Sequence, residues 1–126
     1  MAQYQHLPIY KLTYDILQRI MVATKNFPRE YKYTLGQKLK DEVVDLVILI
    51  YKANTAKDKV EHIEIILERV QLVQLLIRLC HDMRILQRKH YVDLVEKTDS
   101  LARQAQGWLK AGKKNSGKSE PEQNAA

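Results

Sequence analysis

Residues 59–83 read KVEHIEIILERVQLVQLLIRLCHDM, and this stretch decides the fold. Val60, Ile63, Leu67, Val70, Val73, Ile77 and Cys80 recur at spacings of three and four. That is the one-face signature of an α-helix, whereas a half-buried strand would alternate strictly. Glu61, Glu64 and Glu68 take the solvent side of the first half. Between Leu72 and Cys80 only Gln74 and Arg78 are polar, and a helix that is apolar nearly all round is covered on more than one side.

The same periodicity extends in both directions. Upstream, Leu35, Leu39, Val43, Leu46, Ile50 and Ala53 form one helical stripe, with Thr34 as its expected N-cap and Asn54-Thr55 as its end. The run VVDLVILIY at 43–51 could also suit a buried strand, but the stripe starts at Leu35 with no turn signal in between. Before it, Leu7-Pro8 opens a helix whose face is Ile9, Leu12, Ile16, Ile20, Ala23 and Phe27. Tyr10, Tyr14, Leu17 and Met21 make a second stripe beside that face. Pro28 forces this helix to stop by Phe27. Downstream, no glycine or proline lies between Lys52 and Gln106. A break is nevertheless predicted near Met83–Gln87, because the stripe loses phase at Ile85-Leu86 and a new one begins at Tyr91, Leu94, Leu101, Ala105 and Trp108. From Ala111 the chain reads AGKKNSGKSEPEQNAA, without a large apolar residue. Such a segment cannot bury enough surface to order itself, so residues 1–110 are expected to form the domain and 111–126 a disordered tail.

The prediction is an all-α, up-down-up-down four-helix bundle. At 126 residues with 45% hydrophobic and 29% charged side chains, the chain suits one domain with a substantial core. The surplus apolar surface on the first three helices predicts a homo-oligomer. Cys80 is the only cysteine, which excludes an intramolecular disulfide or a multi-cysteine zinc site and fits a reducing cytoplasm. Its place in the apolar stripe makes it a core residue rather than a nucleophile. The opening MAQYQHLPIY has no secretory pattern, and the apolar run at 43–51 is too short to span a bilayer, so no membrane role is expected.

Catalytic and metal chemistry find little support. Di-metal helix bundles use Glu-x-x-His on two helices, and no such tetrad occurs here. Glu61, Glu64, His62, His81, His90 and Asp93 read as solvated side chains. There is no glycine-rich phosphate loop, nucleophile elbow or HExxH motif. The chain is therefore read as a protein without catalytic residues, metal or cofactor.

Charge gives the positive lead. Twenty-one Lys and Arg against fifteen Asp and Glu leave a net charge of +6, which favours polyanionic partners. In an up-down-up-down bundle the first–second and third–fourth connections share one end. Arg29, Lys32, Lys38, Arg84, Arg88 and Lys89 should converge there as a nucleic-acid-binding pole, joined by Lys25 and Arg78 and opposed by Glu30 and Asp82. Lys52, Lys57, Lys59, Lys110, Lys113 and Lys114 gather at the other end. Tyr31, Tyr33 and Tyr91 near the basic pole could stack on unpaired bases. The plainer expectation is that Tyr33 and Tyr91 close the end of the core with buried rings and wet hydroxyls.

The run LPIYKLTYDILQRIMVATKNFPREYKYTLGQKLKDEVVDLVILIYKAN, residues 7–54, resembles the first half of a known family of four-helix-bundle proteins. That family includes the accessory variability determinant (Avd) of diversity-generating retroelements and the bundle proteins encoded in ribosomal RNA intervening sequences. Phe27-Pro28 followed by YKYTLGQKLK is similar to its helix-to-helix turn. LIRLCHDM, Tyr91 and Gln106-Gly107-Trp108-Leu109-Lys110 resemble the Avd branch more closely. The resemblance implies a homopentameric barrel with a basic surface and no catalytic centre, which associates with a reverse transcriptase and with RNA or DNA. The rival function is a structural or adaptor bundle whose apolar faces bind partner helices, with no nucleic-acid role.

Overall fold

A computed structural model describes residues 7–119. The described residues form four long helices and one single-turn helix: α1 (Pro8–Thr24), α2 (Arg29–Lys32), α3 (Leu35–Thr55), α4 (Lys59–Asp82) and α5 (Arg88–Ser119). No strand occurs among them. The long helices pack in a square in which α1 touches α3 and α5, and α4 touches the same two. Partners ascend one helix as they descend the next. Gln74 of α4 reaches Asp99 of α5 at 2.8 Å, His81 stacks on Tyr91 at 3.9 Å, and Val60 lies against Gly112. Neighbours are thus antiparallel, and the bundle is up-down-up-down.

The core is the stripe set read from periodicity. Ile16, Ile20, Leu39, Leu46, Ile50, Ile63, Ile77, Leu94 and Leu101 are all fully buried, and Cys80 is among them. Burial pushes the Cys80 thiol up to about 11, so it carries no thiolate at neutral pH. Three threonines enter this core without leaving an orphaned hydroxyl. Thr13, Thr24 and Thr98 each donate to the carbonyl four residues earlier, at 2.7–2.8 Å.

Each helix end has a local cause. α1 stops before Phe27-Pro28. Gly36 lets α3 approach this turn closely: a Cβ there would stand 3.3 Å from the Tyr31 carbonyl oxygen and 3.4 Å from the Phe27 ring. Thr34 occupies the expected N-cap position, but its hydroxyl donates backwards to the Glu30 carbonyl at 2.7 Å and caps nothing. Asp58 does cap α4, accepting from the Val60 N–H.

The main departure from the sequence reading is at the end of α5. The helix was expected to finish near Lys110, and it continues through Ser119. No proline intervenes before Pro121, and extending a formed helix needs no new nucleation. A Cβ at Gly112 would stand 3.5 Å from the Val60 side chain, so α5 still lies against α4 past residue 110. The part of the expected tail at 120–126 lies outside the described residues.

Candidate nucleic-acid interface

The antiparallel packing brings the end of α1, all of α2, the start of α3, the end of α4 and the start of α5 to one end of the bundle. Val22 of α1 and His90 of α5 border the same cleft there, with Gln18, Arg19 and Asp93. Phe27 and Leu86 plug the core from the two connections. All six predicted cations sit on these elements: Arg29 and Lys32 on α2, Lys38 in the first turn of α3, Arg84 in the α4–α5 turn, and Arg88 and Lys89 at the start of α5.

They are not equivalent. Lys38 is bound to Glu42 at 3.1 Å, and Glu42 also accepts from Arg69 at 2.7 Å. Burial alone would push the Glu42 carboxyl up. The hydrogen bonds and charges of Lys38 and Arg69 outweigh this and hold it below the usual carboxylate range. Lys38 thus shares its charge with Glu42, although its own side chain stays exposed. Lys32 is half-buried, its ammonium 5.9 Å from the Tyr33 ring centre. Arg29, Arg84, Arg88 and Lys89 are exposed and have no acid within ion-pair distance among the described residues. Of the two nearby acids, Asp82 lies 3.7 Å from Arg78, while Glu30 stands exposed.

The aromatic residues divide. Tyr91 is half-buried under His81 as a core-end cap, with ring planes 16° apart. Tyr33 is the correction: its ring is 67% exposed rather than buried in the core. It follows the last residue of α2, where the chain turns away before α3 begins. Periodicity could not have placed a ring in so short a connection.

Elsewhere the acidic groups are mostly tied or isolated. Asp93 takes Arg19 at 2.9 Å and Lys97 at 3.2 Å, pinning α1 to α5. At the opposite end Lys59 donates to the carbonyls of Ala53, Asn54 and Ala56, closing the last turn of α3. An open cleft of about 370 Å³ at that end is lined by Leu7, Pro8, Ile9, Asn54, Gln104 and Trp108, none of which is an acid, base or nucleophile. Among the described residues no group of three or more His, Cys, Asp or Glu could hold a metal ion. No helix among them is long and apolar enough to cross a membrane.

With this geometry in place, comparison with known families is decisive for ancestry. The model of the bAvd-like family matches residues 7–112. The chain belongs to the bAvd-like family. No curated protein matches it. The bAvd-like match covers all of α1 to α4 and α5 as far as Gly112, the residue that packs on Val60. The resemblance read from residues 7–110 is thereby supported. Avd-like proteins are accessory proteins of diversity-generating retroelements and are not a known enzyme family.

Proposed function

We propose that this bAvd-like chain serves a diversity-generating retroelement as its non-catalytic accessory protein. In this reading it assembles in the cytoplasm as a homopentameric ring, binds RNA or DNA through its basic pole without sequence preference, and associates with a reverse transcriptase. The observation that carries the nucleic-acid part is the set of exposed, acid-free cations Arg29, Arg84, Arg88 and Lys89 at one end of the bundle. Cyclic assembly would repeat that patch around the ring and give a flexible polyanion several equivalent contacts. Recognition of this kind runs on counterion release and reads the backbone rather than the bases.

The test is salt-dependent binding. Affinity for a labelled oligonucleotide should fall steeply with salt and change little with its sequence. Each phosphate contact removed should flatten the slope of log K against log salt by roughly 0.7 to 0.9. Replacing Arg84, Arg88 and Lys89 by Glu should weaken binding far more than the same change at Lys110, Lys113 and Lys114. An equal or larger effect at the lysines would transfer the function to the far end of α5. The adaptor reading has its own support in apolar side chains such as Leu75, 63% exposed on α4. It prevails if the chain binds no oligonucleotide at low salt.

A further inference from the structure

The α4–α5 turn is assembled against its own stability, twice over. Arg84 stands at φ 62°, alone among the described non-glycine residues in the left-handed region. The surrounding hydrogen bonds impose that conformation. The Arg84 N–H donates to the His81 carbonyl at 2.9 Å, and the Ile85 N–H donates to the Cys80 carbonyl at 3.1 Å. This is the Schellman closure of a helix, whose left-handed position is normally glycine or asparagine because a Cβ there is strained. Leu86, two residues on, is buried in the core and pins the turn. The second cost comes next in the chain. α5 opens with Arg88 and Lys89 and has no acid in its first turn, although the positive end of a helix favours carboxylates and disfavours cations.

Both costs fall on exposed cations, and neither is offset by a described ion pair. A polyanion would offset both. We infer that the α4–α5 turn, rather than the α2 segment, is the part of the basic pole that grips the phosphodiester backbone, with Arg84 held in its strained conformation as the central contact. This rests on the nucleic-acid reading above and narrows it to one element. The comparison within the pole points the same way: Lys38 of α3 is paired with Glu42 and Lys32 of α2 is half-buried beside Tyr33, so α2 offers Arg29 against the three exposed, acid-free cations Arg84, Arg88 and Lys89 among the described residues. A residue locked at a rigid helix end also loses less freedom on making its contact than one on a mobile segment. Strain retained at an exposed residue is itself a pointer to use.

The inference separates stability from binding, and the full chain tests both. Arg84→Gly and Arg84→Asn relieve the backbone and remove the charge, Arg84→Lys keeps both, and R88E/K89E monitors the pole itself. The expected result is that Arg84→Gly and Arg84→Asn raise the melting temperature by roughly 2–6 °C. The same two variants should bind a fluorescein-labelled single-stranded 20-mer several-fold more weakly at low salt, with a slope flatter by roughly 0.7 or more. Arg84→Lys should match the parent in both measurements. A melting temperature that stays level or falls in Arg84→Gly overturns the inference, because the turn is then unstrained. Parental binding by Arg84→Gly alongside loss in R88E/K89E overturns it too, while leaving the basic pole as the binding end. Parental binding by both variants removes the basic pole as the binding end, and absence of binding by the parent chain removes the nucleic-acid reading itself.

Discussion

Glu42 shows how one side chain can govern both stability and the charge offered to a partner. It is a carboxylate only 4% exposed, bridged by Lys38 at 3.1 Å and Arg69 at 2.7 Å. Its folded pKa is lowered, so its contribution is present above the unfolded carboxylate value and is lost as pH falls through the folded one. Acid unfolding should therefore gain part of its steepness from Glu42 below about pH 4.3, the ordinary glutamate value. Replacing it with Gln should cost roughly 1–3 kcal/mol at neutral pH and flatten the acid limb of a denaturation series. The same variant frees Lys38, so oligonucleotide binding at low salt should hold or tighten. Unchanged stability in Glu42→Gln would show that solvent, and not the two cations, satisfies the carboxylate. This residue was invisible to periodicity, which named Leu39, Val43 and Leu46 and passed over their neighbour. An acid at position 42 becomes a core residue only once α4 delivers Arg69 to it. The same packing gives Lys38, one of the proposed nucleic-acid contacts, an acid partner at 3.1 Å that the stripe pattern does not reveal.

At the scale of the element, the connections were read with uneven success, and the reasons are physical. The α4–α5 break was placed at Met83–Gln87, and α4 ends at Asp82 with α5 beginning at Arg88. Loss of stripe phase was sufficient there, even without glycine or proline. The left-handed Arg84 gave no such signal, because the residue usually diagnostic of that conformation is absent. The far end of α5 was misplaced for the opposite reason: composition suggested disorder, while helix propagation and the Gly112–Val60 contact favoured order. Lys59 is the clearest case of a charge with a local task. Its ammonium donates to three carbonyls at the end of α3, at 2.7–3.2 Å, which also suits the negative end of a helix. Lys59→Met keeps the aliphatic stem and removes the donors. It should lower stability by roughly 1 kcal/mol with oligonucleotide binding unchanged, whereas Lys57→Met should alter neither. A binding defect in Lys59→Met would mean that this end of the bundle also faces the polyanion.

At the scale of the whole molecule, twelve large apolar side chains among the described residues are exposed and unevenly spread, and of these only Val92 belongs to α5. On α3, Val44, Ile48 and Tyr51 follow one another at spacings of four and three, and α4 adds Ile65, Leu75 and Leu79. Asp45 and Glu42 reach across to Arg69 and so mark the side of α3 that faces α4. At about 100° per residue, Val44, Ile48 and Tyr51 point away from it. Two separate apolar surfaces on one protomer are what a closed head-to-tail ring requires, since each interface joins unlike patches. Ile48 is 46% and Leu75 63% exposed, so a charge at either position leaves the protomer core intact. Ile48→Glu and Leu75→Glu should each keep the helical circular-dichroism spectrum while light scattering reports a collapse of the proposed pentamer to monomer. Each variant spoils one patch and spares the other. An equimolar mixture should then form a one-to-one dimer through the intact pair and go no further. Rings surviving both substitutions would move the interface to α5 or to the ends of the bundle. A parent protein that is already monomeric at micromolar concentration would remove the ring, and with it the repeated basic pole on which tight binding to a long polyanion depends.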